Sequence, residues 1–244
     1  MAGNWKMYKT SGQTKDYLTQ FRPMVEKTVD REIVLCPTFV NLEAAVQESA
    51  GSKIEIGAQN LFWAKEGAYT GEISADMLVA VGCRWVLIAH SERRQYFNET
   101  DEEAFKKCES ALNAGLKPIV CIGETLAERE AGQTFTVLEK QFRGSVGKLS
   151  ADGFSKVVVA YEPVWAIGTG KTATPEIAQE AHQFIRHTAA ECFGTEAAGA
   201  LRILYGGSVK PGNVKVLMAQ PDLDGVLVGG ASLDPTDFAA IVNY

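Results

Sequence analysis

Glu162 stands directly after the apolar run Val157 to Tyr161 and opens the segment Pro163-Val164-Trp165-Ala166-Ile167-Gly168-Thr169-Gly170-Lys171. A carboxylate kept from water can take a proton from a carbon beside a carbonyl if it is held within reach. The enediolate that forms needs a hydrogen-bond donor and positive charge near its oxygens. His90, after the run Trp85 to Ala89, is a candidate donor. Lys6, at the end of Ala2 to Trp5, is a candidate cation, and Asn4, two residues earlier, shares its face on an extended chain. Gly206, Gly207 and Ser208 follow Ile203 to Tyr205, and Gly229 and Gly230 follow Val226 to Val228. Glycine allows close approach, so Gly207, Ser208, Gly229 and Gly230 can offer backbone N–H groups to a phosphate. Each signal is weak alone, because a solvated glutamate, a packed histidine and a Gly-Gly turn are all common. Their shared placement, just after short apolar runs, gives them weight.

The elements that must position these groups recur along the chain. Short runs rich in Val and Ile (Ile33 to Cys36, Ile54 to Ala58 and Ile119 to Ile122, besides those above) alternate with longer stretches of helical period. Runs without polar alternation suit strands buried on both faces of a parallel sheet. Helix signals lie between them: Thr100 with Glu103 and Thr125 with Glu128 read as capping boxes, and Gly115 reads as a stop. Thr174 followed by Pro175 reads as another start, and Gly194 as its end. Counting Ala2 to Trp5, eight such units fill 244 residues. That length and alternation predict one α/β domain, residues 1–244, folded as a (β/α)8 barrel of eight parallel strands ringed by helices. Neither a G-x-G-x-x-G nor a G-K-[ST] loop opens an early helix, which disfavours the nucleotide-binding alternatives. In a barrel, functional groups sit after the C-terminal strand ends, with phosphate at the last two strands. The stretch after Glu162 has the make-up of a closing lid, with Pro163 and Lys171-Thr172-Ala173 as hinges, small residues between them and Ile167 as an apolar tip.

Composition narrows the class further. A hydrophobic fraction of 46% is ordinary for a chain with a sizeable core. The net charge of −6 argues against broad nucleic-acid binding, which depends on Lys and Arg neutralising phosphates. No apolar run reaches the ~20 residues of a membrane span. No leader pattern is visible, so a cytoplasmic protein is expected. The five cysteines (Cys36, Cys83, Cys108, Cys121 and Cys192) are odd in number and widely spaced, which predicts reduced, packed thiols. His182 and His187, five apart on an expected helix, do not form a one-face metal pair and are read as packing or surface groups.

Five segments taken in order resemble the triosephosphate isomerase family: Gly3-Asn4-Trp5-Lys6-Met7, Ala89-His90-Ser91-Glu92-Arg93-Arg94, Ala160 to Lys171, Tyr205-Gly206-Gly207-Ser208-Val209 and Val228-Gly229-Gly230-Ala231-Ser232. The resemblance implies interconversion of dihydroxyacetone phosphate and glyceraldehyde 3-phosphate, in glycolysis and gluconeogenesis, without metal or organic cofactor. It implies Glu162 as proton carrier, and His90 as a neutral electrophile whose pKa is lowered at a helix N-terminus. Lys6 and Asn4 would hold the oxygens, and Gly168, Ser208, Gly229 and Gly230 would bind phosphate. Glu92, Arg93 and Glu124 would be supporting charges. It further implies a homodimer in which the loop from Gln59 to Ser74 reaches the neighbouring site, Thr70 approaching Asn4 and His90 of the partner subunit. Two positions depart from the family pattern: few residues precede Gly3, so a short first strand is expected, and Ala89 stands where the family more often has Gly. The residues read without the resemblance leave open a barrel enzyme for a larger sugar or indole phosphate and a non-catalytic barrel that binds phosphate or a protein partner. The short lid tipped by Ile167 favours a small ligand.

Overall fold

A computed structural model describes residues 1–167 and 173–244. Eight parallel strands form a closed barrel in chain order: β1 (Ala2–Asn4), β2 (Ile33–Cys36), β3 (Ile54–Ala58), β4 (Trp85–Ile88), β5 (Lys117–Ile122), β6 (Val158–Tyr161), β7 (Arg202–Tyr205) and β8 (Gly225–Val228), with β8 pairing back onto β1. Helices fill the connections and cover the outside, which is the expected (β/α)8 architecture.

The apolar runs serve two cores at once. Successive strand residues face opposite ways. One set, including Val34, Cys36, Trp85, Leu87, Ile119, Cys121, Val158, Ala160, Leu204 and Leu227, packs together inside the barrel. The alternate set, including Ile33, Leu35, Val86, Ile88, Val120, Val159 and Ile203, packs against the helices. Both faces are dry, so the strands carry no polar alternation.

The helix signals act as expected. Thr100 and Glu103 exchange capping bonds at the start of Asp101–Ala114, whose end is Gly115 at φ 88°. Thr125 and Glu128 repeat the arrangement. Thr174 caps Pro175–Phe193, which closes at Gly194. Strand ends differ by a residue or so. β4 stops at Ile88 rather than Ala89, because Ala89 takes a left-handed conformation, φ 56°, that leaves the sheet. All five cysteines are free thiols. His182 is fully buried and His187 lies on the surface. Among the described residues no helix is long and apolar enough to cross a membrane, and no cluster of three His, Cys, Asp or Glu side chains could hold a metal ion.

Candidate active site at the mouth of the barrel

The inward phase of the strands carries through into the loops that follow them. Glu162 continues the inward series Val158, Ala160, and Asn4 continues that of Ala2. Asn4, Lys6, His90, Glu162, Ser208, Gly229 and Gly230 all line one cavity of about 230 Å3, and Ile167 lines it too. Seven of the eight residues singled out from sequence therefore meet at one place. Gly168 lies outside the described residues.

Glu162 is almost wholly buried, at 2% exposure. Its Oε2 accepts the backbone N–H of Ser91 at 2.8 Å, and its Oε1 lies 2.9 Å from His90 Nε2. Burial alone would push this carboxyl group up. His90, the Ser91 N–H and Lys6 outweigh burial and hold its pKa below the ordinary value, so the group is a carboxylate. The backbone beneath it leaves no space for larger neighbours. A Cβ on Gly123 would stand 1.7 Å from the Glu162 carbonyl oxygen, and one on Gly206 would stand 2.8 Å from Glu162 Cγ.

His90 is the N-cap of the short helix Ser91–Phe97, its Nδ1 accepting the Glu92 N–H at 3.3 Å. That bond suits a neutral ring with its proton on Nε2, facing Glu162. Burial disfavours a charged imidazole. With the Glu162 carboxylate beside it and Glu92 near, however, the pKa is raised from its ordinary value. This is the reverse of the direction the resemblance implied, and its main cause is the carboxylate, which docks on the ring in this arrangement.

Lys6 takes a left-handed backbone, φ 50°, just after β1, and its N–H donates to Asn4 Oδ1 at 2.9 Å. Its ammonium group pairs with Glu92 Oε1 at 2.6 Å. Gln59, beyond β3, donates to the carbonyls of Lys6 (2.8 Å) and Cys36 (2.9 Å), tying the short first strand in place. At the other side of the mouth, Asn213 donates to the Ser208 carbonyl at 3.0 Å and fixes the turn after β7.

Two buried charge clusters support the site. Glu99, 2% exposed in its side chain, accepts the Ala89 N–H at 2.9 Å and pairs with Arg93 at 2.6 Å and Lys107 at 2.7 Å. Lys107 also donates to Asn60 Oδ1 at 2.8 Å. Glu99 thus holds the left-handed residue that precedes His90. Glu124, fully buried, accepts from Trp165 Nε1 at 2.9 Å, Tyr161 Oη at 3.2 Å and Arg129 at 3.2 Å. It ties together the residues on either side of Glu162. Glu92, Arg93 and Glu124 were expected as supporting charges. Glu99, Lys107, Asn60 and Gln59 were missed. Glu99 sits one residue before a capping box and reads as a loop charge, and its partners are scattered along the chain.

The loop from Gln59 to Ser74 folds on itself. Phe62 packs on Trp63 and Tyr69, ring centroids 4.1 and 4.6 Å away, and Thr70 is exposed at its end. Other exposed apolar side chains stand on the segments that follow neighbouring strands: Met7 at 90%, Val40 in a short 3-10 turn at 84% and Tyr96 in the helix Ser91–Phe97 at 67% exposure.

The arrangement can do proton chemistry on a small anion. It offers a buried carboxylate, an imidazole N–H opposite, an ammonium group and glycine-rich turns, all facing one small space. Comparison with known proteins agrees in scope. The sequence model of the family described as Triosephosphate isomerase matches residues 1–244. A triosephosphate isomerase of Solibacter usitatus is 62% identical over 244 residues, 100% of this chain and 98% of that protein. Those of Moorella thermoacetica and Geobacter metallireducens are 57% and 55% identical, each over 100% of this chain and 97% of the relative.

Proposed function

From the premise that this chain belongs to the triosephosphate isomerase family, we propose that Glu162 carries a proton between the two carbons of a triose phosphate held at the barrel mouth. The chain is an isomerase interconverting dihydroxyacetone phosphate and glyceraldehyde 3-phosphate through an enediolate. The observation that carries the residue assignment is the convergence of Glu162, His90, Lys6 and Asn4 on one small cavity bounded by the turns after β7 and β8.

The geometry suggests an order of events. Glu162 is engaged by Ser91 N–H and His90, so it must release them to reach a substrate carbon. Its departure frees the His90 Nε2–H for the substrate carbonyl. It also removes the main charge that raised the ring's pKa, so that burial, with Lys6 beside it, outweighs the remaining Glu92 and favours a neutral imidazole. Neutral imidazole then donates to the oxygens on which charge develops, while Lys6 and Asn4 balance and orient them. Backbone groups at Ser208, Gly229 and Gly230 bind the phosphate; the part of the expected lid at 168–172, Gly168 with it, lies outside the described residues. A 230 Å3 cavity suits a three-carbon phosphate better than a larger one.

We assign the exposed apolar loops around Thr70 to a homodimer interface, supported by the self-packed Phe62, Trp63 and Tyr69 and by Met7 and Tyr96. The test of the chemistry is exchange of the substrate's carbon-bound hydrogen in heavy water. The wild type should incorporate deuterium into dihydroxyacetone phosphate, and Glu162→Asp, its carboxylate drawn back by about 1 Å, should do so ~100-fold more slowly. Unchanged exchange in Glu162→Asp would remove Glu162 from its role.

A further inference from the structure

The charges around the cavity are mostly spent on one another. Lys6 is paired with Glu92 at 2.6 Å, and His90 faces the Glu162 carboxylate at 2.9 Å. A phosphate dianion approaching a chain of net charge −6 therefore meets little free positive charge from either. Among the described residues one further cation lines the cavity. Lys210 stands two residues after Ser208 on the turn that follows β7, and it is exposed. Among the described residues no carboxylate lies within ion-pair distance of it.

Its backbone is nevertheless fixed. The Lys210 N–H donates to Asn213 Oδ1 at 2.8 Å, and the Lys210 carbonyl accepts from the N–H groups of Asn213 and Val214 at 3.1 Å each. The same Asn213 side chain donates to the Ser208 carbonyl. One asparagine thus locks the Lys210 and Ser208 backbones into a single turn. The lysine stem starts from a rigid base at the phosphate end of the cavity, while its head is uncommitted.

We propose that Lys210 is a phosphate-recruiting residue, drawing the dianionic end of the substrate toward the backbone donors of the turns after β7 and β8. The proposal rests on the isomerase reading of the site. It assigns Lys210 to capture and discrimination, not to the proton transfer itself. Its effect is long-range, so it should depend on ionic strength and on the substrate's phosphate.

For a unit charge and a dianion about 7 Å apart in high dielectric, removing the cation should cost kcat/KM about fivefold at ~0.01 M salt and about threefold at ~0.1 M, with little loss near ~1 M. The variants are Lys210→Met, Lys210→Arg and Lys210→Glu, assayed with glyceraldehyde 3-phosphate across that salt range. Lys210→Met should show the loss in kcat/KM rather than kcat, and a flatter salt dependence. Lys210→Arg should restore both, and Lys210→Glu should lose about 25-fold at low salt. Slow deuterium exchange into phosphate-free glyceraldehyde separates charge from structure, because that substrate gives Lys210 nothing to attract. An unchanged kcat/KM in Lys210→Met at low salt overturns the proposal. So does an equal loss on glyceraldehyde, which would mark a structural defect. Titration with inorganic phosphate reads the same charge without catalysis: Lys210→Met should weaken binding severalfold at low salt, and equal binding overturns the assignment. An inactive wild type that still binds phosphate through Lys210 would sink the isomerase reading and leave this one standing.

Discussion

Glu99→Gln is the most demanding test of how the site is held. The replaced carboxylate has 2% side-chain exposure and meets Lys107 at 2.7 Å, Arg93 at 2.6 Å and the Ala89 N–H at 2.9 Å. Glutamine keeps the shape and one acceptor for Ala89, but it loses the charge. Lys107, itself 6% exposed in its side chain, is then left with only the neutral Asn60 oxygen at 2.8 Å. Stranding a buried charge in this way costs about 3–5 kcal/mol. In a chain of this size each kcal/mol moves Tm by about 2–4 °C, so a fall of roughly 6–20 °C is expected at fixed protein concentration. Adding Lys107→Met removes the stranded cation, so the double variant should recover at least ~2 kcal/mol relative to the sum of the single changes. The pH dependence gives an independent check. Burial pushes Glu99 up, but Lys107 and Arg93 outweigh it and the folded pKa is depressed. The folded state therefore holds its proton less tightly than the unfolded chain, and the contribution of Glu99 is lost as pH falls through the ordinary carboxylate range and below. The stability gap between wild type and Glu99→Gln should narrow there. Lys107 behaves differently from its partner. Burial, helped by the nearby Arg93 charge, outweighs Glu99 and the more distant Glu103, and its pKa is lowered, so its own contribution to stability rises as pH passes upward through that lowered value. Thermal melts from pH 3 to 8, with kcat followed in parallel, make the measurement. A Tm change under ~2 °C, or additive single and double variants, would refute the argument.

Three further outcomes follow from the geometry. The His90 ring, followed by nitrogen NMR, should titrate above the ordinary imidazole value in the wild type and fall below it in Glu162→Gln, because the carboxylate raises its pKa and burial alone would lower it; no change between the two would mean that the pair is not formed. Gly206→Ala places a Cβ 2.8 Å from Glu162 Cγ, so the base must shift toward 1 Å and kcat should drop ~100-fold with little change in overall fold by circular dichroism; a loss below threefold would show that the carboxylate position is not set there. Shortening the loop across 66–71 should convert a dimer into a monomer by sedimentation, and a dimer that persists would move the interface elsewhere.

The barrel was legible because its strands are dry on both faces, so runs such as Val158–Tyr161 stand out without alternation. Capping residues also announced their helices, since Thr100 and Glu103 satisfy backbone groups locally. The meeting of Glu162, His90 and Lys6 at one cavity was legible because each sits just beyond a strand, at the same end of the barrel. The sign of φ at Ala89 was not readable, because alanine gives no local cue for a left-handed residue and the conformation depends on Glu99, ten residues on. Glu99 itself was hidden for the same reason: its value comes from Ala89, Arg93 and Lys107, contacts that no short window contains. The docking of the Glu162 carboxylate on His90 and Ser91 crosses from β6 to β4, and it too needed three dimensions.

Glu162 inherits its direction from parity. It faces the barrel axis because it is an even number of residues from Val158 and Ala160. Inserting one residue within β6 would keep every side chain chemically intact yet send the proposed base outward among the helices, where no ligand could meet it. The length of that strand, counted modulo two, is thus a part of the proposed active site that no single substitution can reveal, and transplanting the site to another barrel would have to conserve it.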